Sequence, residues 1–272
     1  MTRRPLVGAV VAAAAAGGAM LARHHVPAHL RARWDRTNHA GRTVTLLEGP
    51  VYAVAAAVGA AAAGAPSAAG VVTSLGAGAF GALDDLAGDS SSKGLKGHLG
   101  ALAHGEVTTG AIKIVGLAAT GLVAAALADR RTDRGLLTTL VGGAAIAGSA
   151  NLANLFDLRP GRTLKVATLG AVPLLFPLGA NGAATAAAAL GAAVGTLPGD
   201  LRGESMLGDT GANAAGAMVG LALVERTGLR GRLGVLIVTA ALTVLSEKVS
   251  FSKVIEGNEV LRRIDALGRP TS

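Results

Sequence analysis

The chain has 272 residues, 51% of them hydrophobic and only 15% charged, with 40 glycines and a mean hydropathy of +0.51. A soluble domain carries about 25% charged residues, so this composition reads as a polytopic membrane protein packed on Ala and Gly, small residues that let helix backbones approach closely in lipid. The net charge of +8 lies in segments between apolar runs, where it orients a chain in a bilayer and argues against a nucleic-acid partner; with no cysteine, disulfides, thiolate catalysis and Cys-ligated zinc are excluded.

Residues 1–22 join Arg3-Arg4 to an apolar core. Leu6 to Ala22 nearly spans a bilayer alone, so the segment reads as a retained first helix, with a cleaved secretory signal as the alternative. A basic loop follows at 23–43, carrying Arg23, Arg31, Arg33, Arg36 and Arg42. Its His25 and His29 have i, i+4 spacing, but no Glu accompanies them and a zinc site is not expected.

Further apolar runs occupy 44–63, 66–83, 107–128, 135–153, 163–180, 182–198, 211–224 and 233–249. A spanning helix needs roughly 20 residues, so the run at 211–224 is short unless its helix starts inside the polar motif before it. Glu48-Gly49-Pro50 predicts a kink near the start of the run at 44–63. The expectation is an all-α, polytopic integral membrane bundle of about nine transmembrane helices, forming one membrane-embedded domain over 1–272.

With the 23–43 loop placed inside, 16 of the 25 Lys and Arg residues fall on the inner side and eight on the outer. That bias predicts a multi-pass protein of the cell's inner (plasma) membrane, with the 23–43 loop on the cytoplasmic face. Gly76-Ala-Gly78-Ala-Phe-Gly81 matches GxGxxG, but it lies inside an apolar run rather than between a strand and a helix, and reads as packing glycine.

Three acidic islands end or begin apolar runs: Asp84-Asp85-Leu-Ala-Gly-Asp89, Asn151-Leu-Ala-Asn154-Leu-Phe-Asp157 and Met206-Leu-Gly-Asp209-Thr-Gly-Ala-Asn213. Ionised groups at a bilayer edge are costly and tend to mark function. All three islands fall on the predicted cytoplasmic side, where they are expected to meet and hold a divalent cation against phosphates.

Adjacent residues on a helix point about 100° apart, so one of Asp84 and Asp85 can hold a metal while the other takes a proton; a solvated helix end is the plainer reading. Asn151, Asn154 and Asp157 share a helix face at spacings of three and line a cavity or bond between helices. Asp209 reads either as the N-cap of the helix beginning near Gly211 or as a hard oxygen ligand for Mg²⁺. Lys113 lies inside the fourth run and either snorkels or faces a polar cavity. Lys93 and Lys96, with His98 and His104, can neutralise phosphates as a set, or serve as ordinary basic loop residues.

DDLAGD, NLANLFD and MLGDTGAN, in this order, together resemble the polyprenyl-phosphate N-acetylhexosamine-1-phosphate transferase superfamily, glycosyltransferase family 4, which includes phospho-MurNAc-pentapeptide translocase and undecaprenyl-phosphate GlcNAc-1-phosphate transferases. Thr37-Asn-His-Ala-Gly41-Arg42 is similar to the family's first cytoplasmic loop, and Lys113-Ile-Val-Gly116 to its lysine after the acidic pair. The likeness covers roughly residues 5 to 250.

The resemblance implies a bundle of about ten helices with a cytoplasmic active site. The implied reaction is Mg²⁺-dependent transfer of a sugar-1-phosphate from a UDP-sugar to a polyprenyl phosphate, undecaprenyl or decaprenyl, releasing UMP. Carried over by position, Asp209 is the metal ligand and Asp84 the base or lipid-phosphate orienter. Asp85 supports the metal–phosphate network, Asn154 and Asp157 line the nucleotide and diphosphate site, with Asp157 also near the metal, and Lys113 contacts phosphate.

The chain departs from the family at Asp157-Leu-Arg159-Pro160-Gly161, where Pro160 stands in place of an Asp, and in having no tenth span. A non-catalytic relative acting as a membrane scaffold or lipid-binding partner in envelope assembly is therefore the alternative. Oligomeric state is left open, with a homodimer as one option. The tail from Phe251 to Leu267 reads either as an amphipathic interfacial helix or as a soluble polar tail.

Overall fold

Long Ala-, Leu- and Val-rich runs punctuated by Gly, Pro and charged clusters dictate helices joined by short loops. The structure, a computed structural model, describes residues 4–37, 41–64, 68–87, 104–105, 107–130, 132–177 and 180–270, and is mostly helical. The principal helices are α1 (Pro5–Ala22), α2 (Glu48–Ala62), α3 (Ala68–Ala87), α4 (Thr109–Asp129), α5 (Leu136–Phe156), α6 (Arg162–Ala171), α7 (Ala183–Leu201), α8 (Gly208–Arg226) and α9 (Leu229–Ser246), followed by the short α10 (Phe251–Gly257) and α11 (Glu259–Ala266). Among the described residues four helices are long and apolar enough to cross a bilayer: α1 with the turn after it, α4, α5 and α9.

α8 is the axis of the bundle and packs against α2, α3, α5, α6 and α7. All but four of its 19 residues are buried, so small side chains decide how near its neighbours come. Gly216 and Gly220, spaced as GxxxG, let α5 lie directly on α8, because a Cβ on either would overlap backbone or side chain at Ile146 to Ala153. Gly191 and Gly195 give α1 the same access to α7, against the Ala9 and Ala13 carbonyls. α1 is thereby a member of the bundle, anchored further by the Arg4 N–H donating to the Ala63 carbonyl at 2.8 Å.

Three expectations need correction. Pro50 does not kink an ongoing helix; α2 begins at Glu48, so Pro50 falls in its first turn, where a missing N–H costs nothing. The run at 163–180 is not one span-length helix, because α6 stops after ten residues and Val172–Leu175, containing Pro173, tightens into a 3-10 turn. The basic segment at 23–43 is not simply a loop. It holds a small antiparallel hairpin, β1 (Asp35–Thr37) on β2 (Thr43–Thr45), with Arg36 opposite Val44.

The two ends of the bundle differ in chemistry. At one end the 23–45, 157–165, 199–210 and 250–270 segments meet through Arg23 on Glu204 (2.8 Å), the Met206 N–H on the Thr45 carbonyl (3.0 Å) and Arg162 on Asp265 (2.7 Å). The other end is closed by Arg232, wholly buried, whose guanidinium grips both oxygens of Asp129 at 2.6 and 2.7 Å and donates to the Val224 and Thr138 carbonyls. There Arg226 also donates to the Leu174, Phe176 and Asn181 carbonyls, which ties the chain after α6 to the end of α8.

Removing one partner of a buried ion pair leaves the other uncompensated, at about 3–5 kcal/mol. Arg232→Met should cost about 3 kcal/mol, the lower end, because Arg134 remains 3.6 Å from Asp129. A thermal unfolding midpoint of the purified protein equal to the wild type's would contradict the assignment of this pair as the closure of that end.

Candidate functional site

The site is assembled by one carboxylate. Helix α8 begins with N–H groups that have no intrahelical partner, and its own N-cap position, Leu207, offers no side-chain acceptor. Asp85, in the last turn of α3, supplies one from outside. Its Oδ1 accepts from the Asp209 N–H at 3.0 Å, and its Oδ2 from the Thr210 N–H at 2.9 Å and the Thr210 hydroxyl at 2.6 Å. A negative charge at a helix N-terminus is also favoured by the helix dipole.

Glycine makes this approach possible. Gly208 takes a positive φ of 58°, and a Cβ there would stand 2.9 Å from the Asp85 carboxylate; a Cβ on Gly81, one turn before Asp85, would overlap the backbone of Asp209 and Thr210. Arg36 of β1 donates to the Asp85 carbonyl and binds the hairpin to the same point.

Joining these two helix ends delivers their other carboxylates to one place. Asp84, about 100° around α3 from Asp85, and Asp209, in the first turn of α8, both reach the ammonium of Lys113 on α4. Lys113 Nζ lies 2.7 Å from Asp84 Oδ2 and bonds Asp209 Oδ2 more closely still. The three side chains are 14–23% exposed, so the cluster is shielded yet open to a ligand. Asp209 is thus not the cap of its helix: Asp85 fills that role, and the Asp209 carboxylate pairs with the Lys113 ammonium.

Behind this trio lies a second group of acids. Asp157, at the C-terminus of α5, accepts from the Thr163 hydroxyl at 3.1 Å, while its Oδ2 is buried without a partner. Glu48 accepts from Ser205 at 2.6 Å and leaves Oε1 unpaired; Asp200 Oδ2 and both polar atoms of Asn213 are likewise buried and unpaired. Burial, then the nearby Asp200, Asp209 and Asp85, holds the Asp157 carboxyl well above the usual carboxylate range.

The remaining predicted residues are placed as follows. Asn151 donates its amide to the Thr243 hydroxyl of α9 at 3.2 Å, an interhelical bond rather than a line toward Lys113. Asn154 is half-buried one turn further along α5. Asp89, Lys93, Lys96 and His98 lie outside the described residues. Glu48, Asp200 and Thr210 were given no role by the sequence. Glu48 and Asp200 were detectable as lone charges at the ends of apolar runs, whereas Thr210 gains its meaning only from Asp85, 125 residues away.

Among the described residues no three acids or histidines are arranged to enclose a metal ion. Mg²⁺ does not require that many, since it is usually held by one or two carboxylates with waters and substrate phosphates. Asp84 and Asp209 fit that donor set: they are hard oxygen ligands from two helices that already converge on one positive charge. Between α5, α6, α8 and α9 a cavity of about 380 Å³ is lined by apolar side chains such as Leu152, Val166, Val219 and Val238. No protein-family model matches this chain, and no curated protein matches it.

The raised Asp157 pKa sets a pH dependence. Between the ordinary aspartate value near 3.9 and the raised one, the native state keeps a proton that the unfolded chain has lost. This contribution is complete below the ordinary value and is lost as pH rises through the raised one. From about pH 4 to about pH 8 the melting temperature of the wild type should fall more steeply than that of Asp157→Asn. Parallel curves would show that Asp157 titrates normally.

Proposed function

We propose that this chain is a Mg²⁺-dependent phosphoglycosyl transferase. It moves a sugar-1-phosphate from a UDP-sugar to a polyprenyl phosphate, forming a polyprenyl-diphosphate-sugar and UMP for cell-wall or polysaccharide synthesis. The observation that carries this reading is the ammonium of Lys113 held between Asp84 and Asp209, at the end of the bundle where the basic segments gather.

Phosphoryl transfer asks a protein for positioning and charge compensation more than for covalent chemistry. An oxygen of the lipid phosphate attacks the β-phosphorus of the UDP-sugar, and the bond from that phosphorus to the oxygen bridging it to the α-phosphate breaks, with UMP leaving. Asp84 Oδ2 takes a proton from the lipid phosphate where one is present. Lys113, turning from a carboxylate to a phosphate oxygen, compensates the charge that develops. Asp209, with Asp84 beside it, would hold a Mg²⁺ that would supply Lewis-acid neutralisation of the diphosphate. Asp85 keeps the three in register.

In this reading the chain crosses the plasma membrane nine times, the sixth crossing being the broken α6 segment, and the Lys113 end is cytoplasmic. The distribution of Lys and Arg supports that orientation. A second reading, a non-catalytic relative serving as scaffold or lipid-binding partner, is favoured by Pro160 and by a lysine that already neutralises the two carboxylates.

Asp209→Asn separates the two readings. Removing one preorganised charge of this kind costs about 10²–10³ in rate, while the Asp85 cap does not use the Asp209 side chain, so the fold should hold. Membranes carrying the wild type should form radiolabelled lipid from a UDP-N-acetylhexosamine and undecaprenyl phosphate, with the variant reduced by at least that factor. No product from a folded wild type across a panel of UDP-sugars, with no rise in melting temperature on adding Mg²⁺ and UMP, would leave only the scaffold reading.

A further inference from the structure

Beyond the end of α9 the chain turns into α10 and α11, which neither complete the bundle core nor supply a residue to the Lys113 cluster. One side of this pair is fastened to the protein. Arg162, 3% exposed, holds both oxygens of Asp265 at 2.7 and 3.1 Å and reaches Ser252 at 2.8 Å. Lys165 donates to the Asp265 carbonyl, Arg269 to the Pro160 carbonyl at 2.8 Å, and Phe251 stacks on Phe156 with ring centroids 5.1 Å apart. The position of α11 is therefore fixed, and so is the direction of its other faces.

One of those faces is apolar and uncovered. Val260 and Ile264, spaced i, i+4 on one side of α11, are 65% and 40% exposed, and Leu267, the residue that follows its last turn, is 64% exposed. Arg262 and Arg263 flank this stripe, the latter paired with the exposed Glu259 on the same helix, and Lys248 and Lys253 precede it, all exposed. The stripe does not stand in isolation. Four residues, 247–250, separate α10 from the last turn of α9, whose Val244 and Leu245 are 62% and 44% exposed on the outside of a helix apolar enough to cross a bilayer. It is α10, with Val254 48% exposed, that starts just past this apolar helix end and leads the chain to the stripe, and cations beside an apolar stripe suit the anionic headgroup region of a bilayer.

We infer that α11 is an interfacial helix, lying in the headgroup region of the membrane that the bundle occupies, with Val260, Ile264 and Leu267 against the acyl chains and Arg262 and Arg263 among the lipid phosphates. The docked face, through Arg162 and Asp265, then ties the bilayer surface to the Asp157–Arg162 segment beside the candidate site. This inference is independent of the transferase reading and survives its failure.

The chain has no cysteine, so one introduced cysteine carries a unique spin label. Full-length Val260→Cys, Ile264→Cys and Arg263→Cys proteins, labelled in nanodiscs of phosphatidylcholine with phosphatidylglycerol, are read by collision with oxygen, which partitions into lipid, and with a nickel chelate, which stays in water. The oxygen-to-nickel collision ratio should be several-fold higher at 260 and 264 than at 263. Leu267→Cys provides the same reading should either apolar variant fail to retain the wild-type melting temperature. A water-like ratio at all positions overturns the inference in favour of a solvated tail. Shielding of 260 and 264 from both reagents overturns it in favour of a protein partner or a second copy.

Discussion

The arrangement rests on one carboxylate reaching across to the start of another helix. Asp85 gives α8 the acceptor that its own N-terminus lacks, through three hydrogen bonds of 2.6–3.0 Å. Hydrogen bonds to a charged acceptor are about twice as strong as neutral ones, and this one also satisfies donors that burial would otherwise penalise. Once the end of α3 and the start of α8 are joined, Asp84 and Asp209 have little freedom in where they point. Lys113, one turn into α4, completes the set.

That constraint is affordable only because the helices are built from small residues. Gly81 and Gly208 admit the Asp85 contact itself, and Gly216 and Gly220 seat α5 so that Asp157 arrives at the same end of α8. In lipid no hydrophobic force draws helices together, so close backbone approach and interhelical polar bonds carry the association. The buried Asp129–Arg232 pair fixes the far end, which leaves the acidic end as the place where charge is left incompletely paired. Asp157, Glu48 and Asp200 each keep a buried oxygen without a partner. Such groups are costly, and among the described residues the acidic end is where these buried carboxylates collect.

Much of this was legible in the sequence. The helical class, the start of α8 inside its polar motif and the meeting of Asp84 with Asp209 at one end follow from apolar run lengths and from acids at their ends, whereas Lys113, open between snorkelling and a polar cavity, finds its place only in the fold. The GxGxxG stretch is packing glycine, with Gly76 against Thr120 and Gly78 against Ala53. What was not legible depended on partners distant in the chain. Adjacent aspartates announce two directions but not that one of them caps a helix 124 residues later. Asn151 shares its helix face with Asn154 and Asp157, yet Thr243 takes its amide. Glu48-Gly49-Pro50 reads as a kink and 163–180 as one apolar run; helix boundaries, which periodicity locates poorly, decide both.

The central claim is that Asp84 and Asp209 converge on one cation, and the cysteine-free chain allows it to be tested directly in membranes. With both positions changed to cysteine and a protease site engineered between them, a short bis-thiol reagent is added before cleavage. The account predicts that the two fragments stay joined in the Asp84→Cys, Asp209→Cys protein and separate in either single variant. Fragments that separate in the double variant, with both cysteines reactive to a monofunctional thiol reagent, would contradict it.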